Sequence, residues 1–225
     1  MEGIFAVYKP KGITSHDVIN IIRRKTGIKK VGHAGTLDPL AEGVLVVAIG
    51  REFTKQLDKI VKSEKEYIAE IFLGQTSTTD DMEGVLRPIR IPQGKQAQDK
   101  KETLNNKIRP NLTEVEKTLK QFIGKIMQTP PQYSAIKVKG TPAYKSARQG
   151  RTLALGARLV EIKEIEILYY KYPILKLKII CGKGVYIRSL ARDLGEELKT
   201  GAYLKNLVRT RVGEFTLEKA EKLEE

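Results

Sequence analysis

The chain has 225 residues, with 41 Lys and Arg against 27 Asp and Glu, a formal charge of +14. That length allows a buried core in one domain or two, and the basic excess favours a polyanionic partner whose phosphates release counterions on binding, unless the protein is merely basic throughout. One cysteine (Cys181) and two histidines (His16 and His33) exclude a disulfide framework and a Cys/His metal centre, and with neither a signal peptide nor an apolar run near ~18 residues the chain reads as a cytoplasmic protein, not a membrane one.

Gly3–Pro10 (GIFAVYKP) predicts a strand halted by the Lys9-Pro10-Lys11-Gly12 turn. Ser15 or Asp17 then caps a helix bearing Val18, Ile19 and Ile22. Arg23, Arg24 and Lys25 complement its dipole, and Gly27 stops it. The next stretch, GHAGTLDPLAEGVL (Gly32 to Leu45), sets the carboxylate of Asp38 among glycines and small residues with Pro39 directly behind it. Gly32, Gly35 and Gly43 permit sharp turns, and a residue before proline is pushed out of the helical region. The loop is built to present Asp38. The unbroken apolar run Gly43–Gly50 predicts a strand buried on both faces.

A helix is expected around Phe53–Val61, followed by a strand over Lys65–Leu73 in which Tyr67, Ala69, Ile71 and Leu73 alternate with the opposite face. Gln75–Gly84 reads as a polar loop, with the adjacent Asp80 and Asp81 in a solvated turn rather than a cation site. Pro92–Pro110, rich in Lys, Gln and Asn, cannot bury enough surface to order itself and predicts a mobile insertion. Thr113 and Glu116 suggest a capping box for a helix carrying Val115, Leu119, Phe122 and Ile123 and closed by Gly124. Beyond the Pro-, Tyr- and Lys-rich Thr129–Arg151 segment, two long strands are predicted at Leu159–Tyr172 and Ile174–Cys181. A helix from about Tyr186 to Leu198, a strand over Leu207–Phe215 and a short helix capped by Thr216 complete the chain. This irregular order predicts an α+β fold in a single domain, and the absence of a glycine-rich phosphate loop argues against a nucleotide-dependent enzyme.

Asp38 leads the residues that can carry chemistry: ionised at neutral pH, it serves as nucleophile or base. A guanidinium beside it would hold it charged. Arg188, in CGKGVYIRSL, supplies one; the alternative is a surface ion pair with Asp193 on its own helix. Tyr67 and Tyr186 are either pocket residues or core tyrosines with satisfied hydroxyls, and His33 is either a contact to a ligand or a brace of the loop. Spacing alone leaves these choices open.

Gly32-His33-Ala34-Gly35-Thr36-Leu37-Asp38-Pro39-Leu40-Ala41-Glu42-Gly43 closely resembles the catalytic motif of the TruB family of tRNA pseudouridine synthases. The similarity extends to Lys9-Pro10-Lys11-Gly12, to Lys65-Glu66-Tyr67, to Gly184-Val185-Tyr186-Ile187-Arg188 with Asp193-Leu194-Gly195-Glu196, and to Leu207-Val208-Arg209. Pro130–Arg151 resembles the insertion with which this family grips RNA. The resemblance runs from about Tyr8 to Phe215 outside Pro92–Pro110. Bacterial relatives continue into a small C-terminal PUA-like RNA-binding domain, whereas this chain ends at Glu225.

The resemblance implies a pseudouridine synthase fold, with a central mixed, largely antiparallel sheet flanked by helices and an RNA-gripping insertion over residues 125–151. It implies an isomerase that needs neither metal nor cofactor and converts uridine 55 of the tRNA T-loop to pseudouridine. Asp38 would be the nucleophile, at ribose C1′ or uracil C6, with Arg188 paired to it. Tyr67 would stack on the flipped uracil and help remove the C5 proton. Tyr186 and Leu207 would line the pocket, and His33 would hold the T-loop open. Lys137, Lys139, Lys145, Arg148 and Arg151 would meet the phosphates of the T-stem-loop, with Tyr133 and Tyr144 between them. No protein partner is implied. Two rivals stand beside this reading: a synthase acting on another RNA, and an RNA-folding chaperone on the same fold.

Overall fold

A computed structural model describes residues 2–89, 109–138 and 140–223, without the side chains of Lys137 and Val138. In chain order the elements are β1 (Gly3–Lys9), α1 (Ser15–Thr26), β2 (Val31–His33), β3 (Glu42–Ile49), α2 (Arg51–Thr54), α3 (Leu57–Val61), β4 (Lys65–Leu73), β5 (Gln75–Ser77) and β6 (Leu86–Pro88). Then follow α4 (Leu112–Leu119), β7 (Gly124–Gln128), β8 (Lys137–Val138), β9 (Thr141–Pro142), α5 (Ala143–Arg148), β10 (Arg158–Lys171), β11 (Ile174–Cys181), α6 (Ile187–Glu197), β12 (Ala202–Val212), β13 (Phe215–Thr216) and β14 (Glu221–Lys222). The expected α+β class holds. The predicted 92–110 insertion lies almost wholly outside the described residues, as does Lys139.

The chain divides into two compact units: Met1–Ala69, Lys178–Lys183 and Asn206–Glu225 form the first, Glu70–Leu177 and Gly184–Lys205 the second. In the first, β1 pairs antiparallel with β3 from Gly3↔Ile49 to Lys9↔Gly43, and β2 adds a second antiparallel partner to β3. β12 runs parallel to β3 and β14 parallel to β1, so this sheet is mixed, as expected. β3 is buried on both faces because its alternate residues serve different clusters. Leu45, Val47 and Ile49 pack with Val7 and with Val18, Ile19 and Ile22 of α1, while Val44, Val46 and Ala48 pack with Ala6, Leu57 and Val212.

α1 buries Ser15, Val18, Ile19 and Ile22, the i, i+3, i+4, i+7 stripe of a core-facing helix. Its cap is Thr14, not Ser15 or Asp17. The Thr14 hydroxyl accepts from the Asp17 amide at 3.1 Å, and the Thr14 amide donates back to the Asp17 carboxylate at 2.8 Å. Gly27 ends the helix at φ 69°, a left-handed turn that glycine takes without strain. The single helix expected over Phe53–Val61 is two short ones. The chain stays right-handed at Lys55 and Gln56, but Gln56 and Lys59 donate to Phe53 and Gln56 in tighter i→i−3 bonds that interrupt the helical ladder.

In the second unit β7 and β10 form an antiparallel pair, and β5–β6 and β8–β9 form two small hairpins. The α4 cap sits two residues earlier than the Thr113–Glu116 box would put it. Asn111 and Glu114 exchange the two bonds at 2.9 and 2.7 Å, and asparagine caps as well as threonine does. Gln75–Gly84 is no solvated loop: it includes β5, and Asp81 is 2% exposed. Thr14→Ala should lower the free energy of unfolding by about 1 kcal/mol, measured by urea denaturation against wild type.

Candidate active site

The loop between β2 and β3 carries Asp38 half-buried, and inward-pointing backbone carbonyls govern its shape. Such a group left without a donor costs about 1–3 kcal/mol. Apart from the Ala41 amide, which reaches Asp38 O at 3.1 Å within the loop, the donors come from neighbouring segments. Lys9, at the end of β1, is 0% exposed and donates its Nζ to Ala41 O at 2.7 Å, Pro10 O at 2.8 Å and Pro39 O at 3.4 Å. The Gly12 amide reaches Pro39 O at 2.9 Å. Ser15 Oγ accepts from the Leu37 amide at 2.9 Å and donates to Leu37 O at 3.0 Å, so the residue beside Asp38 is held from both sides.

Arg209 of β12 fixes the two flanks of the loop. Its Nε donates to Val44 O at 2.7 Å and its Nη2 to Gly35 O at 2.9 Å, with the residue 1% exposed. β12 and β3 approach closely where Arg209 pairs with Gly43. A Cβ on Gly43, whose φ is 108°, would overlap the Arg209 backbone, so glycine is required twice over.

Tyr67 on β4 belongs to the same unit and is 7% exposed. Burial pushes its phenol above the usual value, and the charge of Asp38 pushes in the same direction, while the Arg209 guanidinium opposes both. Cys181 on β11 acts on the same phenol, and burial pushes its own thiol up to about 12. Lys65 turns its Nζ to Ser63 O at 2.6 Å and Val61 O at 2.8 Å, and burial lowers its pKa. Leu207 is buried on β12. His33 closes β2 rather than lying in the loop; burial, then the charge of Arg209, lowers its pKa, and its Nδ1 is buried without a hydrogen-bond partner.

Tyr186 and Arg188 belong to the second unit, at the start of α6. The side-chain amide of Gln128 accepts from Tyr186 N at 2.8 Å and donates to Tyr186 O at 3.1 Å, fixing the junction. Arg188 is 4% exposed and pairs with Asp81 at 3.4 Å, donating also to Tyr133 O at 2.9 Å and Thr79 O at 3.3 Å. Asp81 in turn accepts from Thr79 Oγ1 at 2.5 Å and from the Glu83 amide at 3.0 Å. One turn on, Arg192 bridges Asp80 at 2.9 Å and Asp193 at 2.7 Å and donates to Thr129 O at 2.9 Å. The surface pair of Arg188 with Asp193 is therefore replaced: Arg188 is buried, and Arg192 takes Asp193. The Asp80–Asp81 turn is an anchor for two arginines.

On the insertion, Lys145, Arg148 and Arg151 are exposed, and the Arg148 guanidinium lies 5.5 Å above the Tyr144 ring. Lys139 and the Lys137 side chain lie outside the described residues. Gln132 exchanges two 2.9 Å bonds with the backbone of Leu153, tying the limbs of this segment together. Sequence reasoning missed Arg209, Asp81 and Gln128 as site-building residues. Only the first two carried a signal: Arg209 through its place in a matched motif, Asp81 through its adjacency to Asp80.

The family model described as TruB family pseudouridylate synthase (N terminal domain) matches residues 23–187. A tRNA pseudouridine synthase B from Protochlamydia amoebophila is 42% identical over 218 residues, 97% of this chain and 77% of the relative. One from Corynebacterium diphtheriae is 45% identical over 231 residues, 100% of this chain and 73% of the relative. Among solved structures, a chain of a Cbf5-Nop10-Gar1 complex superposes with a TM-score of 0.66 at 28% identity. The match covers 95% of this chain but only 50% of that one, so this chain spans about half the length of its structural neighbour.

Asp81→Asn should destabilise the protein by about 3 kcal/mol, because it strips a buried guanidinium of a paired charge; urea midpoints measure this. Cys181 gives a pH test. Between pH 9 and 12 the unfolded chain has lost a thiol proton that the folded chain keeps, so stability falls as pH rises. From pH 8 to 10 wild type should lose about 1 kcal/mol more than Cys181→Ala.

Proposed function

The chain belongs to the TruB family of pseudouridylate synthases, and we propose from that premise that it converts uridine 55 in the T-loop of tRNA to pseudouridine. Support comes chiefly from the Asp38 loop, whose carbonyls are tied to Lys9, Gly12, Ser15 and Arg209 and whose charge acts on Tyr67. A carboxylate on so fixed a loop suits an attacking group, because catalysis depends on held geometry.

The reaction breaks the N1–C1′ bond and joins C1′ to C5 of the same base. C5 gives up its proton and N1 regains one, so atoms and electrons balance without a redox partner. In our reading Asp38 attacks ribose C1′ or uracil C6, and Arg188 pairs with it to keep it ionised. Tyr67 stacks on the flipped uracil and aids loss of the C5 proton. Tyr186 and Leu207 line the pocket in which the detached ring turns, and His33 keeps the T-loop open. Extruding the base costs a few kcal/mol of stacking, offset by these contacts and by phosphates meeting Lys137, Lys139, Lys145, Arg148 and Arg151. Both compact units then serve one catalytic domain, with residues 125–151 as its RNA grip. Among the described residues no helix is long and apolar enough to cross a membrane, and the reading implies a cytoplasmic enzyme.

Wild type should release tritium from T-stem-loop RNA labelled at C5 of the target uracil, and Asp38→Asn should slow this by ~10⁴-fold or more. No release by wild type, or undiminished release by the variant, would overturn the reading. Release from other RNA fragments alone would move the substrate elsewhere.

A further inference from the structure

The Arg209 guanidinium works in three directions at once. Nε binds Val44 O beyond the Asp38 loop, Nη2 binds Gly35 O before it, and Nη1 lies over Gly35, 3.5 Å from where a Cβ would stand. From the same place its charge acts on the Tyr67 phenol, against the burial that pushes the phenol up. A guanidinium is planar, permanently charged and has no acceptor. Two further buried cations are engaged by carbonyls: Lys65 is turned to Val61 O and Ser63 O, and Lys9 to Ala41 O and Pro10 O.

We infer that Arg209 is a positioning residue for the isomerisation: it locks the Asp38 loop in register with Tyr67, holding nucleophile and phenol in one arrangement. The inference rests on the reading of Asp38 as nucleophile. Arg209 need not touch RNA; it acts through the two residues it orients. Lysine keeps the charge but cannot present a planar fork to Val44 O and Gly35 O, so Arg209→Lys separates bridging from charge.

The test is a double-mutant cycle of Arg209→Lys and Tyr67→Phe, read as the single-turnover rate of tritium release alongside tRNA affinity. Arg209→Lys should slow the chemical step ~100-fold, as a misplaced reacting group does, with tRNA affinity unchanged. In the Tyr67→Phe background the same change should cost much less. Equal losses in both backgrounds, a wild-type rate for Arg209→Lys, or a loss confined to tRNA affinity would overturn the inference. Should Arg209→Lys not fold, Tyr67→Phe with Arg209 intact decides alone: an undiminished rate rules out action through that hydroxyl. A wild-type protein that releases no tritium defeats the functional reading instead, so the two failures are distinct.

Discussion

Buried backbone carbonyls and buried cations satisfy one another around Asp38. Removing an ammonium or guanidinium from water costs several kcal/mol unless good hydrogen bonds replace the solvent. Lys9 and Arg209 receive that replacement from Pro10, Pro39, Ala41, Gly35 and Val44. The loop in turn receives charged donors, which make stronger bonds than neutral ones. Neither half is stable alone. An irregular segment acquires the fixity of regular structure without its ladder, and the small residues between Gly32 and Gly43 leave room for the long side chains that reach in.

The second unit uses a related device on a helix start. Tyr186 stands at the N-cap of α6 without a side-chain bond to the first turn of the helix, and the segment after β7 is fastened there instead. Gln128 grips Tyr186, Ser189 and Arg192 donate to Thr129 O, and Arg188 donates to Tyr133 O. Asp80 and Asp81 close the arrangement from the other side. The buried arginine is thus held by carbonyls and a carboxylate supplied by segments 50 to 110 positions away in sequence.

That separation explains what was legible in the sequence. β3 could be read because an unbroken apolar run has one cheap solution, burial on both faces. β4 could be read because its alternation is strict. The α1 stripe and its Gly27 stop were equally plain, since helix geometry is local. Caps were less so: Thr14 against Ser15 or Asp17, and Asn111 against Thr113, differ only in which of several nearby polar residues lets the apolar stripe face inward. Asp81 was misread because its partner lies on a helix a hundred residues on, and no local pattern distinguishes a solvated acid from one awaiting an arginine. Arg209 was hidden for the same reason. Its partners are carbonyls, which leave no mark in a sequence.

The fastening of residues 128 to 133 onto α6 also bears on how the basic segment can move. A lever clamped at its root cannot swing from the root. Gln128, Thr129 and Tyr133 are bonded to the helix, and Gln132 binds the returning limb at Leu153. Any excursion of Lys145, Arg148 and Arg151 must therefore pivot between residues 134 and 152. The tip carrying these charges can shift while its base stays registered with Arg188, so freedom and fixity meet within one short segment.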